Sequence, residues 1–243
     1  GHNCPLACAA GAIRTLQKLG TPTQQQRYLR PLLDPDFRTN FTASQFLTEV
    51  QGGSDVGANA VIAVPRGDGA EGQAAGSRWT ISGEKWFCSN ADADVFLMTA
   101  RVGPPSAGTR GLGLFLVPRL REDGQPNGFR IRRLKDKLGT RSMASAELDF
   151  VDAEAEALGP VDAGFKHVME LVITTSRLFN AMGCAGHAHR AWVVASTYAA
   201  HRQAFGQPIA NFVVVQETLA WMRSDAVACL AGTLTLADVH ERV

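Results

Sequence analysis

The stretch Thr48-Glu49-Val50-Gln51-Gly52-Gly53-Ser54-Asp55 follows directly on an alternating run, Phe41-Thr42-Ala43-Ser44-Gln45-Phe46-Leu47. The alternation predicts a strand. The paired glycines and flanking hydroxyls predict a loop whose backbone N–H groups approach an anionic ligand closely. A strand opening into such a loop is a ligand-binding device, and the rest of the chain is read outward from it.

Periodicity separates three regions. Residues 1–39 are helical: Leu6, Ala10, Ile13 and Leu16 fall at helical spacing, and Gly20 supplies a stop. Thr21-Pro22-Thr23-Gln24 then reads as a new helix start, with Thr21 as cap, Pro22 in the first turn and Gln24 at the capping-box position. That helix ends before Asp34-Pro35. Residues 40–158 are β-rich. Trp79–Ser82 alternates, Val95–Ala100 and Leu112–Val117 read as buried strands, and Phe129–Arg132 and Ala146–Phe150 add two more. The loops at 65–77 and 103–110 are rich in Gly, Pro, Ala and Ser, so a barrel or sandwich is expected. Residues 159–243 are helical again. One helix carries Phe165 to Met182 with Asp162 as cap, a second runs from about His187 to Phe205, and a third starts near Asn211.

The chain has 243 residues, 45% of them hydrophobic, enough for a sizeable core. A formal net charge of +1 gives no global argument for nucleic acid or an anionic membrane. No apolar run approaches the roughly 20 residues of a membrane span. Five cysteines, an odd number without a CxxC pair, argue against a disulfide framework or zinc site and for a reducing compartment. Cys4 and Cys8 share a helix face and read as two small buried residues rather than metal ligands. The start Gly1-His2-Asn3-Cys4 and the uncapped helical end suggest the interior of a longer protein.

Further segments carry chemistry. In Ser82-Gly83-Glu84-Lys85-Trp86-Phe87-Cys88-Ser89-Asn90, Phe87 and Ser89 face one side of a strand, suited to covering a flat ring and bonding its edge, while Cys88 faces the core. Leu134-Lys135-Asp136-Lys137-Leu138-Gly139-Thr140-Arg141-Ser142 closes a stretch with eight basic residues between Arg119 and Arg141. These form either a basic lip or a solvated face with partners such as Glu122 and Asp136. Thr174 and Arg177 lie one turn apart, with Glu170 on the same stripe. Arg202-Gln203-Ala204-Phe205-Gly206-Gln207-Pro208-Ile209, with Phe212 and Gln216, has a Gly and a Pro that stop a helix.

In order and spacing these five segments resemble the acyl-CoA dehydrogenase family. The quoted stretches match its Thr-Glu-x-x-x-Gly-Ser-Asp, Gly-x-Lys-x-Trp-Ile-Thr-Asn, Lys-x-Gly-x-Arg-x-Ser and Arg-x-x-Phe-Gly-x-Pro-Ile-x-x-Phe-Gln motifs. The pairing of Gln51–Ser54 with Lys135–Gly139 further resembles the branch of alkylation-response flavoproteins. The resemblance implies an α+β fold: a helical segment, a central β-barrel or sandwich and a C-terminal helical bundle, incomplete at both ends. It implies FAD, with Gln45, Leu47, Thr48, Gly53, Ser54, Phe87, Ser89, Arg202 and Phe205 at the cofactor. Arg202 and Phe205 would reach the FAD of a neighbouring subunit. Ser54, Thr174 and Arg177 would lie at the substrate, although Arg177 is equally a partner for Glu170. Phe87 stands for the family's Trp, Ser89 for its Thr, and Val213 for its Gln.

The expected reaction is α,β-dehydrogenation of an acyl-CoA thioester, with hydride passing to flavin N5 and on to an acceptor such as an electron-transferring flavoprotein. The family's usual base is a Glu expected beyond this chain. In a minority it precedes the pocket arginine, where this chain has Ser176, and Glu49 is expected to support the fold. No catalytic residue is therefore assigned here, and no metal. A homodimer or homotetramer is expected, in the cytoplasm or, in a eukaryote, the mitochondrial matrix. The alternatives are an alkylation-response-type flavoprotein associated with DNA, though nucleic-acid binding is not expected through this chain, and a non-catalytic flavin scaffold.

Overall fold

The computed structural model describes residues 3–67 and 74–242. Part of the loop expected at 65–77 lies outside the described residues, as do Gly1, His2 and Val243. The chain forms two compact units, Gly1–Ser176 and Arg177–Val243.

The first unit opens with α1 (Asn3–Leu19). The capping box at Thr21 is present: Gln24 N donates to Thr21 Oγ1 at 3.2 Å, and Thr21 N donates to Gln24 Oε1 at 3.1 Å. The helix it starts, Pro22–Gln24, widens through a π turn over Gln25–Leu29 and closes at Arg30–Leu32.

Seven strands follow: β1 (Ala43–Phe46), β2 (Ile62–Pro65), β3 (Arg78–Ser89), β4 (Val95–Arg101), β5 (Leu112–Pro118), β6 (Phe129–Leu134) and β7 (Ser145–Ala157). The pairings β4–β2, β2–β3, β3–β7, β7–β5 and β5–β4 close a ring, so the expected barrel is present. β1 adds to β4 in parallel and β6 adds antiparallel to β7. Closure leaves few unpaired edges. β4 and β5 are buried along their whole length. Phe96, Met98, Phe115 and Val117 point into the barrel, while Val95, Leu97, Leu114 and Leu116 pack with Leu16, Tyr28 and Val172 of the helices. That two-sided burial is why these strands read as unbroken apolar runs.

β2 escapes the periodicity analysis because it is short and half exposed. β3 and β7 are each longer than their apolar signals. β6 is an exposed basic strand, and its positive charges are answered individually. Arg130 and Arg132 pair with Asp149, Arg132 also with Glu84, and Arg133 and Lys135 with Glu147. Arg141 pairs with Asp136, as the sequence suggested, while Glu122 instead pairs with Arg27 and Arg78. The stretch is a solvated face of ion pairs, not a free basic lip. The hydrogen bond from Arg132, above all, holds the Asp149 carboxyl below its usual range. A depressed folded value means stability present above the unfolded value and lost as pH falls through the folded one. Asp149→Asn is therefore expected to flatten the acid limb of the stability–pH curve, read as urea midpoints between about pH 5 and pH 2.

Gly164 opens the helix that leaves the barrel, and it sits directly on β5. A Cβ there would overlap the backbone of Gly113 and Leu114, which cannot swing aside as a side chain would. Gly164→Ala is expected to cost about 1–3 kcal/mol in the unfolding free energy, seen as a lowered melting temperature.

Three helical expectations are corrected. Asp162 does not cap: it lies inside the 3-10 turn Val161–Ala163, whose preceding residue is Pro160. The helix does not break near Gly183–Gly186. Gly164–His167, a π turn over Val168–Ile173 and Thr174–His201 run without a gap, since a glycine inside a long helix weakens it without ending it. The helix expected to reach Phe205 stops at His201, where a tight hairpin begins, β8 (Gln203–Ala204) and β9 (Gln207–Pro208). The second unit ends with the helix Val213–Glu241. Among the described residues no helix is long and apolar enough to cross a membrane.

Candidate functional site

The two stretches expected to share a site are adjacent in the first unit. The backbone N–H of Trp86 donates to the Thr48 carbonyl at 3.0 Å, which lays the start of the 48–55 turn beside β3. The turn is fixed from beneath by Glu49, which is 3% exposed. Its carboxylate accepts from Lys85 Nζ at 2.8 Å and from the Ala60 N–H at 2.6 Å, with Val61 N–H at 3.3 Å. Lys85 Nζ also donates to the Leu47 carbonyl at 3.2 Å. Burial pulls the Lys85 ammonium down from its ordinary range, and the Glu49 carboxylate opposes that shift. Glu49 thus supports the fold, as the sequence reading expected.

Asn59 and Arg101 extend the scaffold. Asn59 Nδ2 donates to the Leu47 carbonyl at 2.8 Å, and Arg101 donates to the carbonyls of Asn59 and Gly57 at 2.7 and 2.6 Å. Sequence reading passed over Lys85, Asn59 and Arg101. The signal for Lys85 was its place in the strand motif; Asn59 and Arg101 had none, because each donates to backbone carbonyls, which carry no side-chain signature.

Gly53 packs closely on the Thr48 side chain. A Cβ on it would stand 3.0 Å from Thr48 Oγ1. Ser54 is exposed beside it, while Leu47 and Thr48 are half-buried. Gln45, on β1, donates to Ser176 Oγ at 2.7 Å, and its Oε1 is buried without a partner.

On β3 the alternation is interrupted. The register with β7 shifts between Lys85 and Cys88, a bulge that lets both of these residues point inward although they are three apart. Cys88 is in the core, as expected. Phe87 and Ser89 fall on the outer side together, as the sequence predicted, with Phe87 53% exposed. Trp86 meets Phe87 edge-on at 6.5 Å between ring centroids, and Lys135 Nζ lies 3.3 Å from the Trp86 centroid and 4.3 Å from that of Phe87. Lys135 therefore stiffens the aromatic pair through cation–π contact. Ser89 Oγ is 3.2 Å from Ser145 Oγ.

Thr174 belongs to the first unit. Its hydroxyl donates to the Met169 carbonyl at 2.8 Å across the π turn, so only its lone pairs remain for a ligand. Glu170 is exposed and pairs with Lys166 at 3.9 Å.

Arg177, Arg202 and Phe205 belong to the second unit. Arg177 is exposed. Arg202 is exposed at the foot of the β8–β9 hairpin, its backbone bonded to Tyr198 and Ile209. Phe205 and Gly206 form the tip with φ of 53° and 81°. Phe205 is 97% exposed and meets Phe212 edge-on at 6.1 Å. Among the described residues no group of His, Cys, Asp or Glu is placed to hold a metal ion.

A central barrel flanked by helices, with a glycine turn laid beside an aromatic–hydroxyl strand, matches known proteins along its whole length. The middle-domain profile of acyl-CoA dehydrogenases covers residues 44–153, and the family's C-terminal domain profile covers 162–242. The chain belongs to the acyl-CoA dehydrogenase family. It is 34% identical to AidB of Escherichia coli K12 over 100% of this chain and 43% of that protein. Among solved structures, Bd2924 in its apo form superposes with a TM-score of 0.88 at 33% identity, covering 99% of this chain and 47% of that one. ACDH-11 of Caenorhabditis elegans in complex with C11-CoA gives 0.82 at 33% identity, over 93% and 38%. The chain spans less than half the length of these relatives.

Proposed function

We propose that the whole protein is an FAD-dependent dehydrogenase of acyl-CoA thioesters, and that this chain supplies the seat of the flavin. The observation that carries the reading is the Thr48–Trp86 contact, which sets the glycine turn against the Phe87/Ser89 edge. FAD, when bound, supplies the acceptor of the substrate's β-hydride. Phe87 offers an apolar ring face and Ser89 a hydroxyl at the ring's edge, with Gln45, Leu47 and Thr48 along the neighbouring strand. Gly53 and Ser54 keep the turn open for a polar group to approach the backbone. Arg202 offers a guanidinium fork suited to a diphosphate, and Phe205 an exposed ring. Both serve the FAD of a second copy in a homo-oligomer. Ser54, Thr174 and Arg177 serve the acyl-CoA. The complex of ACDH-11 with C11-CoA, at 33% identity, supports the substrate class. An electron-transferring flavoprotein is the proposed acceptor.

Within this chain the buried carboxylate beneath the seat is engaged in structure. Glu49 is bound to Lys85 and two backbone N–H groups, and position 176 is a serine bonded to Gln45. The proton-abstracting base therefore comes from elsewhere in the whole protein. The test is flavin absorbance. The chain should take up FAD and keep its colour when a panel of acyl-CoAs is added, whereas the whole protein should bleach. A chain that stays colourless after FAD reconstitution would sink the flavin seat. Rapid bleaching of the chain alone would show that it carries a base.

A further inference from the structure

A cavity of about 800 Å³ opens where the glycine turn ends at Asp55, a volume within the range of small-molecule sites. None of the residues assigned above to the flavin lines it. Three segments do: residues 55–60, which follow directly on Ser54, then Ile62 and Ala63 at the start of β2, and residues 101–108, where β4 ends. The first segment contains the 3-10 turn Val56–Ala58, and the last runs into the 3-10 turn Pro105–Gly111.

One side chain joins the two turns. Arg101 is 6% exposed, and its guanidinium binds backbone carbonyls on both sides. Nε donates to Asn59 at 2.7 Å and Nη2 to Gly57 at 2.6 Å; in the other direction Nη1 donates to Gly108 at 3.2 Å and, more weakly, to Pro104 at 3.5 Å. A planar fork can reach both turns at once, which a single ammonium cannot. Keeping a charge buried and answered by carbonyl dipoles costs free energy. Barrel closure does not require it. The backbone N–H of Arg101 bonds the Val61 carbonyl at 2.7 Å, and β2 meets β4 at Ile62 and Arg101, whatever side chain stands there. The guanidinium therefore serves the turns and the cavity between them.

We propose that Arg101 is a positioning residue for the substrate. It clamps the segment after Ser54 to the segment after β4 and so keeps the cleft between them in the shape that receives the coenzyme A part of an acyl-CoA. The proposal rests on the reading of Ser54 as a substrate contact. Without the fork, the carbonyls of Gly57, Asn59 and Gly108 lose their donors and the two segments lose their common anchor. A ligand must then order both segments as it binds, and that ordering is subtracted from its affinity.

Coenzyme A is the probe, titrated calorimetrically into the chain, with FAD titrated separately by fluorescence. Coenzyme A carries a thiol, and Cys4, Cys184 and Cys229 are exposed, Cys4 against the expectation of two buried cysteines on α1, so a phosphine reductant is kept present. Arg101→Ala is expected to weaken coenzyme A binding by about 30-fold and FAD binding by less than about threefold. Free guanidinium at millimolar concentration should restore most of the coenzyme A affinity, and methylammonium at equal ionic strength should not. Arg101→Lys keeps the charge without the fork and is expected to bind as weakly as Arg101→Ala. Gly111→Ala leaves Arg101 in place but sets a Cβ 2.9 Å from Nη1, so the guanidinium must shift, and coenzyme A alone is expected to weaken by about fivefold.

A residue that only supported the fold would weaken both ligands alike, so equal losses of coenzyme A and FAD would overturn the proposal. So would a parent chain that takes up no coenzyme A, an Arg101→Lys chain that binds like the parent, or an Arg101→Ala deficit that guanidinium leaves untouched. Coenzyme A uptake needs no flavin. A chain that binds it yet stays colourless with FAD would remove the flavin seat and leave the role of Arg101 standing.

Discussion

Lys85→Met lowers the stability of the first unit by about 3–5 kcal/mol and its melting temperature by roughly 10 °C. The reason is the Glu49 carboxylate, buried beneath the glycine turn and left without its ammonium. The variant is close to lysine in length and apolar, so packing loss is small and the effect reports the stranded charge. A second substitution, Glu49→Met, does not restore stability as it would for an isolated ion pair. Glu49 also receives the N–H groups of Ala60 and Val61, and removing it strands the buried Val61 donor and the part-buried Ala60 donor instead of one acceptor. The double variant is expected to be no more stable than Lys85→Met. Thermal melts of the three proteins check this, and a Lys85→Met chain melting within a degree of the parent would refute it.

Phe87→Ala weakens FAD binding by about 2 kcal/mol, roughly 30-fold in Kd, with little change in the melting temperature of the unliganded chain. Phe87 is half exposed, so truncating it costs the fold little. A flat ring laid on it would lose both the apolar contact and the stacking. Phe87→Leu separates the two, since it keeps apolar bulk without a π face, and an intermediate Kd is expected. Flavin fluorescence titration of the three chains measures it. Equal Kd values would mean that the ring binds elsewhere on the barrel.

Much of this site could be read from residue order. The 48–55 turn, the outward pair Phe87 and Ser89, the inward Cys88 and the structural role of Glu49 all follow from strand alternation and motif spacing. The bulge at Trp86–Phe87 was not legible, because one extra residue in a strand leaves no mark on composition. Yet it is what allows Lys85 and Cys88 both to face inward. Asn59 and Arg101 were invisible because the groups they donate to are backbone carbonyls, and those carry no side-chain signature. The unbroken run through residues 164–201 is not legible in sequence, because glycines at 183 and 186 weaken a helix without saying whether it ends there. The hairpin after His201 is indistinguishable in sequence from a helix end, since Gly206 and Pro208 serve either purpose.

One residue of that hairpin sits where its type is a poor choice. Phe205 holds a left-handed backbone that glycine or asparagine would adopt with less strain, and its ring is almost wholly in water. Breeding this protein for heat resistance alone would replace it, and the turn would gain about 1 kcal/mol. The benzyl group persists at a site that does not need it for folding. Under the proposed function its worth lies in the flavin of a second polypeptide, and a screen scoring only robustness would discard it unnoticed.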